Sequence, residues 1–288
     1  DACDDLAFDG TGTLWDYGSG NTVCLEGEDA SVDGEDNTLV GDNLTVIGDD
    51  NYIIGDDGLV VGDGNTVDPV FAFTQFGNFN NVDDNGGDAG ATTAFIYQAG
   101  NQNSVHSGTA GGTGSSASAQ SISQIGNLNI VEADSDVTGA DAAVETISAV
   151  GNLNSVDSYA SGQDADATVV GVQIVGDGNI LEAESQSERD ESLISSVGIN
   201  GGGNAVTSFT DGDDATAEVS TLEIDGSFNT VEASATGESA DAAVSGNLVD
   251  GSSNNLTADA QGTASAGSSS APEALVDGNV VGGNGNTL

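Results

Sequence analysis

Lysine is absent from these 288 residues, and arginine and histidine occur once each, as Arg189 and His106. Against 48 acids this leaves a formal charge of −47 at pH 7. Nucleic-acid binding by phosphate neutralisation needs clustered Lys and Arg, and is excluded. Polybasic attachment to anionic lipid falls with it. One histidine and one arginine leave no Ser–His–Asp or Cys–His constellation and no phosphate clamp. A carboxylate-only glycosidase survives that count, but every acid sits in a repeated turn or an outward position and none is singled out. The sequence reads as non-enzymatic and as requiring no cofactor. His106 directly follows Val105 and reads as an exposed edge residue.

Other scarcities point the same way. No apolar run approaches the ~18–20 residues that span a bilayer. Proline occurs twice and glycine 43 times, which suits many tight turns between uninterrupted strands. Methionine is missing and the chain opens Asp1-Ala2-Cys3, so a processed form is expected, exported through a cleaved signal peptide. In an exported protein the only two cysteines, Cys3 and Cys24, are expected to form a disulfide. A charge of −47 repels itself in any compact state, which points to a saline or cation-rich setting.

What is abundant is a phrase, Gly-x-x-Asn-x-[Val/Leu]. Its glycines fall at 77, 100, 126, 151, 176, 201, 226, 251 and 283. Neighbouring glycines are separated by 23, 26, 25, 25, 25, 25, 25 and 32 residues, and a fixed period in this range marks a repeat architecture. Three places after each glycine stand Asn80, Asn103, Asn129, Asn154, Asn179, Asn204, Asn229, Asn254 and Asn286. Two places further stand Val82, Val105, Val131, Val156, Leu181, Val206, Val231, Leu256 and Leu288. A buried Asn is costly unless its amide is paired, and stacking one Asn on the next supplies partners above and below. Nine turn asparagines would not explain the linked aliphatic column.

Each long unit aligns as strand–arc–strand. Asn129, Val131 and Ala133 alternate with Ile130, Glu132 and Asp134, as a half-buried strand does. A second strand carries Ala142, Val144, Thr146, and later Ala167, Val169, Gly171 and Ala217, Val219, Thr221, with turn residues between the strands. The expected fold is all-β, a β-solenoid of parallel, in-register units. Residues 70–288 form its long-period part. Over 27–69 glycine returns every seven residues, with units such as Gly48-Asp-Asp-Asn-Tyr-Ile-Ile. A glycine per heptad costs about 1 kcal/mol each in a helix, so these are turn-and-strand repeats, closing either a two-sided or a triangular coil. Residues 1–26, with Phe8, Trp15, Tyr17 and both cysteines, read as a terminal cap or as a connector to the next subunit.

The first long units extend the phrase to Gln-x-Gly-x-x-Asn-x-Val at Gln75-Phe76-Gly77, Gln98-Ala99-Gly100 and Gln124-Ile125-Gly126, with Thr92 and Ser118 six places before the second and third Gln. Over residues 70–150 this resembles the curlin repeat of the major curli subunit, Ser-x5-Gln-x-Gly-x-x-Asn-x-Ala-x3-Gln. Here an aliphatic residue replaces the Ala and the second Gln is not kept. Beyond residue 150 the Gln position becomes Ile174, Ile199, Ile224 and Val249. The resemblance implies an exported subunit that polymerises into amyloid-like extracellular matrix fibres, with secretion and nucleation factors as partners.

The resulting expectation is a structural fibre subunit whose chief partner is itself. The last unit, Gly283 to Leu288, stops in mid-strand, and a neighbouring subunit is expected to complete it. The alternative is a monomeric calcium-binding β-solenoid adhesin. Asp49, Asp50, Asp56, Asp57 and Asp63 recur in stacked turns, and hard oxygen ligands suit Ca²⁺. Ice binding would need a flat Thr array, and no Thr column exists.

Overall fold

The computed structural model describes residues 7–8, 14–19, 22–25, 31–41, 44–55, 58–68, 72–84, 91–109, 116–136, 138–139, 141–186, 189–262 and 272–288, the backbone alone up to residue 32. Among these residues every regular element is a strand and every pairing is parallel. The chain is a β-solenoid of about seven turns of ~25 residues, preceded by shorter ones.

One face, A, is a 13-stranded sheet. Its strands include Ser104–Thr109, Ile130–Ser135, Ser155–Ala160, Ile180–Ser185 and Ala205–Asp211. They pair residue for residue at the repeat distance, Val105 on Val131, Val131 on Val156 and Val156 on Leu181. The opposite face, B, carries two lanes of strands. One lane holds Ala142–Glu145 on Ala167–Val170, the other Ser148–Val150 on Gln173–Val175. The lanes merge in the continuous strands Glu191–Asn200 and Thr216–Asp225.

The break between the lanes corrects the sequence reading of the second strand. Ala142 and Val144 face inward, but Thr146 is exposed, in a left-handed conformation at φ 58°. Inward alternation resumes one place later, at Ile147 and Ala149. Gly171 and Thr221 occupy the same kink, at φ 72° and 56°. Inserting one residue there bends the strand and lets face B wrap the core.

The seven-residue repeats close a two-sided coil. Thr38 pairs with Tyr52, and Tyr52 with Thr66, fourteen residues apart, so two glycine units make one turn. The short and long coils form one continuous stack, since Thr66 pairs with Asn81 and Gly58 with Phe73. Where the coil broadens, the Phe73 ring is fully buried. It lies over Gly58, where a Cβ would collide with the ring. Strands Leu14–Ser19 and Thr22–Leu25, within the segment read as a cap or connector, pair in parallel with Ser31–Glu35 and Thr38–Val40. Cys3 lies outside the described residues, and with it the expected disulfide to Cys24.

The core is a narrow channel of stacked aliphatics between the faces. Leu39, Ile53, Val67, Val82, Val105, Val131, Val156, Leu181, Val206, Val231 and Leu256 are all 0–1% exposed. Burying each such side chain stabilises the fold by about 1.5–3 kcal/mol.

Candidate functional site

The feature most nearly invariant along the stack is the corner where each turn passes from face B to face A. Its glycine approaches the turn below so closely that a Cβ on Gly151 would fall 1.8 Å from the Gly126 carbonyl oxygen. The same approach recurs from Gly48 on Gly34 to Gly283 on Gly251, through both coil lengths.

Behind the glycine lies the inner asparagine column. It begins before the long units, at Asn37, Asn51 and Asn65, and runs through Asn80, Asn103, Asn129, Asn154, Asn179, Asn204, Asn229 and Asn254 to Asn286. Each backbone N–H donates to the Oδ1 of the Asn one turn further on, in eleven successive bonds of 2.8–3.0 Å. The members from Asn37 to Asn254 are at most 1% exposed, where an unpaired backbone N–H would be costly. The amide nitrogens are less uniform. Asn51 and Asn65 donate theirs to the carbonyls of Gly34 and Gly48. Asn179, Asn204 and Asn229 donate theirs to the next Oδ1. The Nδ2 atoms of Asn80, Asn103, Asn129 and Asn154 are buried without a partner. Asn286 lies on the last turn described, where the aliphatic Leu288 is 65% exposed.

A second column went unread in the sequence. One place after the corner glycines from Gly48 to Gly176 stand Asp49, Asp63, Asn78, Asn101, Asn127, Asn152 and Asp177. Here each Oδ1 accepts the N–H of the corresponding residue one turn further on, at 2.6–2.9 Å, ending on Gly202. This outer ladder runs opposite in sense to the inner one. The Gly-Asn-x-Asn spelling at residues 77, 100, 126 and 151 is its signal, but an exposed Asn beside Gly reads first as a turn residue.

These bonds also place the candidate calcium ligands. Asp49 and Asp63 each give an oxygen to a backbone N–H. Asp50 is an exposed corner residue at φ 57°, and Asp56 and Asp57 lie outside the described residues.

A short glutamine column runs beside the ladders. Gln98 Nε2 donates to Gln75 Oε1 at 2.7 Å, and Gln124 Nε2 to Gln98 Oε1 at 2.9 Å. All three are fully buried. Ala149 takes the next place and Gln124 Oε1 is left without a donor.

The outward surface of face A carries the acids in register. Asp83, His106, Glu132, Asp157 and Glu182 are successive partners in one column. Burial, followed by the charges of Glu182, Glu132, Glu184 and Asp134, pushes the Asp157 carboxyl up to about 7. Burial raises Asp134 and Glu182 as well, with neighbouring acids adding to it. His106, read as an exposed edge residue, is half-buried on a strand paired on both sides, and its Nδ1 lies 2.9 Å from Asp83 Oδ1. The one arginine, Arg189, pairs with Asp164 at 2.7 Å.

No protein-family model, curated protein or solved structure matches this chain. Fold and geometry define it as a β-solenoid repeat protein. No helix among the described residues is long and apolar enough to cross a membrane.

Proposed function

We propose that this chain is the structural subunit of an extracellular, curli-like fibre, built by head-to-tail β-stacking and serving as biofilm matrix or surface adhesion material. The observation that carries the reading is the inner ladder. Its eleven bonds keep one geometry while the turns lengthen from 14 residues, Asn37 to Asn51, to 32, Asn254 to Asn286. Each turn is therefore a sufficient template for the next, whatever its length. Head-to-tail addition is a heterologous contact that does not close on itself, and an unpaired sheet edge is the surface on which it propagates. The curlin-like Gln75, Gln98 and Gln124 pair along the stacking direction, which fits the resemblance.

The acid column makes assembly depend on cations. Stacked strands are ~4.8 Å apart, and the screening length shortens to ~3 Å at 1 M salt. Purified protein imaged by electron microscopy across salt concentration, with and without chelator, tests both statements. Fibres are expected at high salt or with added divalent cation. Discrete particles under every condition would sink the fibre reading, and fibres formed equally well in low salt with chelator would remove the cation dependence. The change of turn length along the stack, from 14 residues to 32, favours a second reading, a monomeric calcium-binding solenoid adhesin, because unequal turns stack less readily on a second copy. The same images decide between them.

A further inference from the structure

We propose that His106, Glu132 and Asp134 form a binding site for a first-row divalent transition-metal ion such as Zn²⁺, bridging adjacent turns on the outward surface of face A. Among the described residues they are the one group of three or more His, Cys, Asp or Glu side chains whose ligand atoms all lie within 4.8 Å of one another. Two ligand atoms about 2.1 Å from a tetrahedral ion are roughly 3.4 Å apart, so modest side-chain rotation closes the set.

Three further observations point to an ion here. Asp134 Oδ1 has less than 1 Å² of exposed surface and accepts no hydrogen bond, and a buried oxygen without a donor is costly. His106 is oriented from behind: its Nδ1 meets Asp83 Oδ1 at 2.9 Å, leaving Nε2 as the ring's second donor atom. A carboxylate on the far ring nitrogen is the arrangement that orients metal-binding imidazoles. The surroundings are also strongly anionic, since Asp157 stands in register with Glu132 on the following turn, and no Lys or Arg stands in the column of partners from Asp83 to Glu182.

The imidazole decides the class of ion. Ca²⁺ collects six to eight oxygens, whereas one nitrogen and two carboxylates suit Zn²⁺ and its first-row neighbours. His106 and Glu132 belong to neighbouring strands, Ser104–Thr109 and Ile130–Ser135, and Asp83 to the strand below. The ion would tie the turns of His106 and Glu132 together, with Asp83 on the turn before them holding the imidazole. This site does not depend on whether the chain polymerises.

The test uses the full chain, stripped with chelator and dialysed into 1 M NaCl to screen diffuse counterion binding. ZnCl₂ is titrated by equilibrium dialysis while the ring signals of the only histidine are followed by magic-angle-spinning NMR, which reads sedimented single chains and fibres alike. The expected result is one saturable Zn²⁺ per chain with movement of the His106 signals. CaCl₂ should leave those signals in place. His106→Ala should lose the step, Asp83→Asn should weaken it roughly tenfold or more, and a remote control, Asp225→Asn, should leave it unchanged. Zn²⁺ binding without a saturable step, an undiminished step in His106→Ala, or unmoved ring signals in the wild-type chain at saturation would overturn the proposal. If circular dichroism shows that His106→Ala does not fold, the wild-type ring signals decide.

Discussion

Two substitutions of the same residue type, one repeat apart, should differ in cost for a reason visible in the ladder. Asn154 and Asn179 are both at most 1% exposed, and each accepts the N–H of the preceding ladder member, Asn129 at 2.9 Å and Asn154 at 2.8 Å. Replacing either with Ala strands one buried N–H, at about 2 kcal/mol. The amide nitrogens then separate the pair. Asn179 Nδ2 donates to Asn204 Oδ1 at 3.1 Å, so its loss adds about 1 kcal/mol. Asn154 Nδ2 is already without a partner, and removing it returns about 1 kcal/mol. Asn179→Ala should therefore cost about 3 kcal/mol and Asn154→Ala about 1, a gap of about 2 kcal/mol or roughly thirtyfold in the opening equilibrium. Guanidinium unfolding reads the total, and its ionic character keeps the acids screened. Amide hydrogen exchange reads the location: protection should fall at residue 129 in Asn154→Ala and at residue 154 in Asn179→Ala. Equal costs, a larger cost for Asn154→Ala, or unchanged exchange at the stranded amides would refute the assignment of bonds.

Other outcomes follow from the same geometry. Gly151→Ala should open the stack at that turn and cost several kcal/mol, because its Cβ would collide with the Gly126 backbone. Gly139→Ala meets nothing within 4 Å and should cost only the left-handed backbone penalty, about 1–2 kcal/mol, so similar melting temperatures for the two variants would contradict the clash. In chelated protein, stability should fall as pH rises from about 4 to 7. Asp157 titrates near 7 in the folded chain but near its ordinary 3.8 when unfolded, so the folded state binds more protons within that window. Asp157→Asn should raise the melting temperature at pH 7.5 and flatten the slope, whereas a wild-type melting temperature that climbs from pH 5 to 8 would contradict the sign.

The long period was legible because each 25-residue turn returns Asn and an aliphatic residue to the same inward places, and no other chain geometry explains both columns. The two-sided short coil was not legible. Glycine recurs every seven residues, and only the pairing of Thr38 with Tyr52 shows that alternate glycines share a corner. The kink escaped because Thr146 and Thr221 are at home in strands, and the single Gly171 between them reads as one more member of the alternating series. The outer ladder escaped for a different reason. Its members are exposed, so no cost of burial singles them out, and Asp49, which resembles a metal ligand, spends an oxygen on the N–H of Asp63. His106 gave no signal of its own either. Its neighbours Asp83 and Glu132 lie 23 and 26 residues away in sequence, and only the register brings them together.

The opposed ladders give the stack a polarity that no single strand pair would enforce at the corner. Parting the turns between Asn129 and Asn154 leaves one broken face with a donor, the Asn129 N–H, and an acceptor, Asn127 Oδ1. The other face carries the acceptor Asn154 Oδ1 and the donor Asn152 N–H, in mirrored places. The two faces fit each other as plug and socket, while two copies of the first would set donor against donor at the inner position, and two of the second acceptor against acceptor. Material built on this corner carries an arrow along its axis, and it can lengthen or heal only by pieces that point the same way.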